Sequence, residues 1–444
     1  MQMPVKCSFF KVVLAALMLV AVLQLIYLSL LSGLHGRQQK FRFLELFEAR
    51  KVEPAHHRLD QVKKSRLKLS LASGGVLDSS GQYRLYKNLL KAGDDAANND
   101  GLQMGQWAAA APSPPREDLV LATHTTLNNL HHLQELLARW RGPVSVALFA
   151  PSPEEVRFTT MMIYVLSTLC APVNELVSFH LVCHSGDLAI FPELADRGEF
   201  ARLKSCDDVF RKLADTGIKL RNYDIGANAS YPNNLLRNVA RGVAGSHYVL
   251  VIDVDMLPSE GLRLAFLSLM AGRPSIPEGE HTVYVVPSFE IRHTRRIPGA
   301  KAELLQLYQV GEIRPFYEEL CQRCQAPTNY SQWLNLPTGD EMQVVYSVEW
   351  KDPWEPFYIS VSSVPPFDER FKQYGFNRIS QACELHVAGY TFLVVNNAFL
   401  VHKGFKVSGE FHSKKDAENQ HNKLLFRQFK QELKMKYPSS GLRC

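Results

Sequence analysis

Two carboxylates one residue apart, Asp253 and Asp255, close the apolar run Tyr248-Val249-Leu250-Val251-Ile252. Five residues that favour extended backbone read as a buried strand, and Pro258-Ser259-Glu260-Gly261 breaks the chain just beyond it. Carboxylates at the mouth of a buried strand can hold a hard divalent cation. Such a cation suits a diphosphate, because it bridges the phosphate oxygens and offsets the charge of a departing nucleotide. Asp-x-Asp alone is a weak motif, equally at home in a solvated turn. Its weight comes from the strand before it, the turn after it and its place within an α/β pattern.

That pattern starts near residue 117. Strands are expected at 118–123, 143–149, 177–183, 248–252 and 282–287, with helices at 127–140, 153–169, 200–213 and 233–244. Strands alternating with helices at this spacing imply a mostly parallel sheet flanked by helices, whose ligands bind beyond the carboxyl ends of the strands. Asp253 and Asp255 stand at such an end. Neither GxGxxG nor GxxxxGK[ST] follows a strand, which removes most support for a dinucleotide fold or a P-loop NTPase. A metal-dependent phosphoesterase would need more His and Asp at strand ends than the pattern offers.

Val12 to Leu31 carries no charge and, as a helix, spans roughly 30 Å, the hydrocarbon thickness. Its length and the lack of a small-x-small cleavage site favour an uncleaved anchor over a signal peptide. The expected plan is a cytosolic tail at 1–8, a transmembrane signal anchor at 9–31, a lumenal stem with a low-complexity linker at 32–116, and a catalytic domain at 117–444. The linker proper, 91–116, is rich in Ala, Asn, Asp and Pro and too poor in apolar residues to order itself. Sequons at Asn228 and Asn329 suit a lumenal face. Beyond the anchor lie seven cysteines, an odd number, so at least one is free or pairs between chains. Cys321-Gln322-Arg323-Cys324 lacks the second CxxC of a zinc site and reads as a disulfide. The net charge of +6 comes without a long basic run, so nucleic acid is a poor partner.

The stretches Ser230-Tyr231-Pro232-Asn233-Asn234-Leu235-Leu236-Arg237-Asn238, Val285-Val286-Pro287-Ser288-Phe289-Glu290, Asp352-Pro353-Trp354-Glu355-Pro356-Phe357-Tyr358, Tyr374-Gly375-Phe376-Asn377-Arg378 and Phe399-Leu400-Val401-His402-Lys403-Gly404-Phe405 resemble the glycosyltransferase family that contains the LARGE-type glucuronyltransferase domains. The resemblance covers the anchor and nearly all of 117–444; the segment 91–116 departs from it as an insertion. It implies a GT-A-type fold, a Golgi type II membrane protein and transfer of glucuronic acid from UDP-glucuronate to a terminal xylose. The β1,4-linked product would prime matriglycan on O-mannosylated dystroglycan for a LARGE-type polymerase. A β-1,3-N-acetylglucosaminyltransferase of poly-N-acetyllactosamine is the first alternative. A non-catalytic Golgi partner of another transferase is the second, disfavoured by the intact Asp-x-Asp.

On that resemblance Asp253, Asp255 and His402 hold Mn²⁺, the imidazole biasing the site away from Mg²⁺. Asn234 and Arg237, at a helix start, and Lys403 become donor-binding candidates, although surface or packing roles are the ordinary fate of such residues. Inversion at the donor's anomeric carbon requires a carboxylate to take the acceptor's proton. Glu384, Asp368 and Glu369 are the candidates, with Asn377-Arg378 standing where many relatives carry an acidic pair. Arg292, Arg295 and Arg296 could meet a uronate carboxylate or form a solvated loop face. Trp354 and Tyr358 could stack on an acceptor sugar or sit in the core.

Overall fold

The structure is a computed structural model, and it describes residues 53–90, 116–191, 203–217, 230–242, 246–272, 281–407 and 413–444. The expected tail and anchor, residues 91–115 of the linker and Asn228 lie outside the described residues. No helix among the described residues is long and apolar enough to cross a membrane. The chain divides into two compact units, 1–56 and 57–444, and the second holds everything that follows.

Its strands, in chain order, are β1 (Val76–Leu77), β2 (Tyr83–Leu90), β3 (Arg116–Thr126), β4 (Val144–Ala150), β5 (Val177–His184), β6 (Ser246–Val251) and β7 (Met256–Pro258). They continue as β8 (Thr282–Val285), β9 (Ser288–Ile291), β10 (Ile313–Pro315), β11 (Gln343–Val348), β12 (Tyr358–Val361), β13 (Thr391–Asn396) and β14 (Leu400–Lys403). A ten-stranded sheet runs in the order β1-β2-β5-β4-β3-β6-β12-β8-β13-β11, and a four-stranded sheet in the order β10-β9-β14-β7.

Strands β5, β4, β3 and β6 pair in parallel, the arrangement the alternating pattern predicts, and every residue of β4 is buried, as a strand covered on both faces must be. The sheet as a whole is mixed rather than mostly parallel, since β12 runs antiparallel to both β6 and β8 and β11 runs antiparallel to β13. A second correction concerns the domain boundary. Strand β2, assigned to the stem on composition, pairs with β5 and buries Tyr83, Leu85, Tyr86 and Leu89. Burying four such side chains contributes several kcal/mol, so residues 76–90 belong to the folded domain.

Local rules set the element ends. Helix Pro153–Leu169 has Pro at its first turn and Ser152 Oγ accepting from Glu155 N–H at 3.2 Å, and it ends where the pattern predicts. The expected helix 127–140 begins instead as a 3-10 turn at Leu127–His132 and becomes α-helical only at Leu133–Trp140. Asn128 and Asn129 compete for backbone hydrogen bonds and weaken an α-helical start. Arg141, with φ 51°, stops the helix in the left-handed region.

Disulfides join Cys170 to Cys206, Cys321 to Cys324 and Cys383 to Cys444. Cys183 is a free, buried thiol, pushed up to about 12 by burial first and Asp187 second.

Candidate active site

Parallel register aligns Ala122 of β3 with Val251 of β6, and Ile252 N–H donates to Ala122 C=O at 3.1 Å. Two residues further along each strand, His124 therefore stands beside Asp253. The chain then turns, with Met256 N–H donating to Asp253 C=O at 3.0 Å, and crosses to the four-stranded sheet as β7. Val254 is buried at 2 % exposure and anchors that crossing. The Asp-Val-Asp step thus lies where one sheet hands the chain to the other.

Asp253 is gripped by guanidinium groups. Its Oδ1 accepts from Arg237 Nη2 at 3.0 Å, its Oδ2 accepts from Arg378 Nη1 at 3.1 Å, and His124 Nε2 lies 3.5 Å from Oδ1. Burial alone would push the Asp253 carboxyl up; Arg378, the His124 contact and Arg237 hold it well below the usual carboxylate range. His124 is itself anchored by Tyr231, its Nδ1 lying 2.7 Å from the phenol oxygen.

Each arginine has its own support. Arg237 is 2 % exposed, stacks over Phe367 and donates to the side-chain oxygens of Asn234 and Asn377 at 2.9 and 3.1 Å. Asn234 donates in turn to the Asp368 and Asn377 carbonyls. Arg378 lies over the Phe357 ring, 4.1 Å from its centroid, in the first turn of helix Asn377–Val387. That helix starts sharply, because Gln373, Gly375 and Phe376 all have positive φ. A Cβ on Gly375 would come within 2.4 Å of Asn419 Oδ1, so both φ and space require glycine.

Asp255 has different neighbours. Strand β14 pairs His402 with Met256, next along the chain from Asp255, and His402 Nε2 lies 3.2 Å from Asp255 Oδ2. Nδ1 of that ring lies 2.8 Å from the Gly404 carbonyl oxygen. With Nδ1 donating there, a neutral ring turns the Nε2 lone pair toward a carboxylate oxygen. Two lone-pair donors facing each other can share a cation, and a backbone carbonyl on the other ring N–H is the usual support of a metal-binding imidazole. Lys406 Nζ is 3.9 Å from the same carboxylate, on a loop that Glu290 holds by accepting from Lys406 N–H and from Tyr317 N–H. Burial would raise the Asp255 carboxyl, but His402 and Lys406 hold it well below its ordinary value. His132, part-buried nearby, is pushed down to about 4 by burial first, against the pull of Asp255. Among the described residues no group of three or more His, Cys, Asp or Glu side chains converges as a complete metal site. Asp255 Oδ2 and His402 Nε2 offer two donors, 3.2 Å apart.

The other expected residues divide. Asn234 and Arg237 join the site, with Asn234 orienting the arginine. Lys403 does not: it is exposed, because alternation along β14 turns it to the face opposite His402, and Lys406 takes the place beside Asp255. Glu384 accepts from Lys436 Nζ at 2.6 Å and from Tyr437 O–H at 2.9 Å, and so faces the C-terminal helix rather than Asp253. Asp368 is tied to Arg370, and Glu369 accepts from Asn238 Nδ2 at 2.9 Å. All three carboxylates are engaged away from the Asp253 cluster. Arg292 and Arg295 share Glu312, and Arg296 is exposed. Trp354 is fully buried, donates to Thr328 Oγ1 and is core. Asn329 is exposed and caps helix Tyr330–Asn335.

Sequence reasoning passed over His124, Lys406, Arg378 as a partner of Asp253, and Glu355. For His124 the signal was parallel register; for Glu355 it was a carboxylate locked between two prolines. Asp253, Arg237, Arg378 and Glu355 line one cavity of about 570 Å³, a size that suits a small organic ligand.

Residues 118–438 match the family described as glycosyl-transferase for dystroglycan, and the chain belongs to that family. It is a glycosyltransferase. A protein named beta-1,4-glucuronyltransferase 1 from Danio rerio is 55 % identical over 99 % of both chains. Its namesake from Homo sapiens is 52 % identical over the whole of both. The xylosyl- and glucuronyltransferase LARGE2 of Mus musculus is 28 % identical over 75 % of this chain and 41 % of its own.

Proposed function

We propose that this chain transfers glucuronic acid from UDP-glucuronate to a terminal xylose, inverting the anomeric carbon to form a β1,4 linkage that primes matriglycan on O-mannosylated dystroglycan. The observation that carries the chemistry is the Asp255–His402 pair set beside an arginine-held Asp253 at the mouth of β6. End-to-end identity of 52–55 % with proteins named beta-1,4-glucuronyltransferase 1 supports the donor and the linkage. We read the domain as a GT-A-type fold and the chain as a Golgi type II membrane protein, with its catalytic domain lumenal and the exposed Asn329 available to a glycan.

In this reading Asp255 and His402 would hold Mn²⁺, which would offset the charge left on the departing UDP. The protein's own contribution is orientation. Arg237 and Arg378 fix Asp253, whose carboxylate can accept from donor hydroxyls while staying ionised. Lys406, beside Asp255, supplies further positive charge toward the diphosphate. Buried aromatic faces under both guanidiniums keep these charges from swinging into solvent.

The test is UDP release by the purified full-length chain with Mn²⁺ and a β-xyloside, comparing UDP-glucuronate with UDP-N-acetylglucosamine. Turnover with UDP-glucuronate alone is expected. Turnover with the amino-sugar donor alone would keep the site and overturn the substrate. No turnover from folded protein would favour a non-catalytic partner of another transferase.

A further inference from the structure

An inverting transfer needs a base, and none of the carboxylates singled out from sequence faces the cavity beside Asp253. Four acidic side chains line that cavity: Asp253, Asp352, Glu355 and Asp416. Asp253 is held by two arginines and a histidine. Asp352 is 43 % exposed and stands 4.0 Å from Lys430, and Asp416 is an exposed residue in the first turn of helix Lys415–Lys436. Glu355 differs from all three. Its side chain is 12 % exposed, and it makes a long contact of 3.5 Å to Arg378 Nε.

The backbone around Glu355 is unusually constrained. Its N–H donates to the Cys324 carbonyl at 3.0 Å, and its carbonyl accepts from Gln325 Nε2 at 3.1 Å. Pro353 and Pro356 flank it, and Trp354 beside it is fully buried. The carboxylate is thus presented to the cavity from a fixed support, with one guanidinium standing between it and Asp253.

We propose that Glu355 is the catalytic base of the transfer, an inference that rests on the proposed glycosyl transfer and deepens it. The acceptor hydroxyl gives its proton to a Glu355 carboxylate oxygen as its own oxygen bonds to the donor's anomeric carbon. The bond from that carbon to the diphosphate oxygen breaks in line, its electron pair leaves with UDP, and the configuration inverts. The groups facing Glu355 suit the role. Burial raises its carboxyl, Arg378 and Arg237 pull it down, Asp253 pushes it up, and the balance lies above the ordinary glutamate value. That makes it a better proton acceptor than an exposed glutamate.

Glu355→Gln, made in the full-length protein, tests this with three readings: kcat on a β-xyloside, UDP affinity by calorimetry with Mn²⁺, and kcat on a xyloside whose attacking hydroxyl is replaced by a thiol. A thiol ionises in solution and needs no enzymic base. The expected result is a loss of roughly 10²- to 10⁴-fold in kcat on the hydroxyl acceptor, with UDP affinity within about threefold of the parent and thiol transfer within about tenfold of it. Glu355→Asp should recover part of the lost rate. A Gln variant within tenfold of the parent on the hydroxyl acceptor would overturn the proposal. So would equal loss on both acceptors accompanied by weaker UDP binding, which would make Glu355 only a support for Arg378. If the parent transfers no sugar, the proposed function falls together with this inference; if the parent transfers and the variant matches it, this inference alone falls.

Discussion

The two ends of the Asp-Val-Asp step lie one residue apart yet sit in opposite kinds of surroundings. Asp253 is fixed by Arg237 and Arg378, the first 2 % and the second 10 % exposed, both stacked on aromatic rings. Asp255 faces the neutral-capable imidazole of His402 and a lysine at 3.9 Å, and its own side chain is 36 % exposed. Guanidiniums in a buried, stacked setting do not deprotonate and do not leave. An imidazole lone pair and a distant ammonium can be displaced or shared. The difference is one of support: Asp253, expected beside Asp255 as a metal ligand, stands in a fixed cradle of guanidiniums, whereas the neighbours of Asp255 are exchangeable. It arises from chain topology: Asp253 ends a strand of the large sheet beside two helix starts, whereas Asp255 enters the small sheet beside β14.

The largest expected effect comes from Asp253→Asn. It leaves the buried Arg237 guanidinium without its carboxylate and Arg378 with only its longer contact to Glu355, so it should cost on the order of 3 kcal/mol of stability and also abolish measurable transfer. Chemical denaturation and UDP-release assays on the same preparation check both halves. Unchanged stability would show that the arginines hold each other's surroundings without the carboxylate, and the assignment of a fixed cradle would fail.

Asp255→Asn and His402→Ala come next. Each should lower turnover by roughly 10²- to 10³-fold, the range seen when one fixed electrostatic contributor is removed. Melting should shift little, because neither residue anchors a buried charge. The direct check is Mn²⁺ binding followed by electron paramagnetic resonance in the presence of UDP, where both variants should bind more weakly than Asp253→Asn does. Equal loss of Mn²⁺ binding in all three would erase the distinction between the two aspartates.

How much of this was legible in the sequence follows the range of the forces involved. Strand β6, its terminal carboxylates, helix Pro153–Leu169 and the parallel strands around β3 are set by local periodicity and by caps within a few residues. Cys321 and Cys324, three apart, declared their disulfide. The small sheet was not legible, because its strands are three or four residues long and come from positions as distant as Met256 and His402. Residues such as Arg378 and Glu355 become meaningful only once the fold brings them beside Asp253, more than a hundred positions earlier in the chain. Glu384 misled for the complementary reason. Its acidic side chain on a helix near an aromatic-glycine turn looked chemical, but Lys436 and Tyr437, from the far C-terminus, claim it. Composition erred at β2 as well, since a strand flanked by linker-like sequence still joins the sheet, between β1 and β5.

The smallest effect separates the two aspartates from the buried imidazoles around them. Lowering the pH from 7 to 5 leaves Asp253 and Asp255 ionised, since both are held well below the usual carboxylate range. His180, fully buried and held by Ser145 Oγ and the Asn88 N–H, is pushed down to about 3 by burial. His124 is also lowered, burial outweighing its contact with Asp253. In the unfolded chain both imidazoles take a proton near pH 6.5, whereas in the folded protein each takes it less readily, so the unfolded state binds more protons. The stability that His180 contributes is therefore full above about pH 6.5 and declines as the pH falls toward 3, by at most about 1.4 kcal/mol per unit, and His124 adds to it in the same direction. Denaturation midpoints measured between pH 7 and 5 should show this slope, and His180→Gln should reduce it while leaving transfer at pH 7 within about threefold of the parent. A slope untouched by His180→Gln would place the acid sensitivity in the other lowered imidazoles, His124 and His132, and would remove His180 from the account.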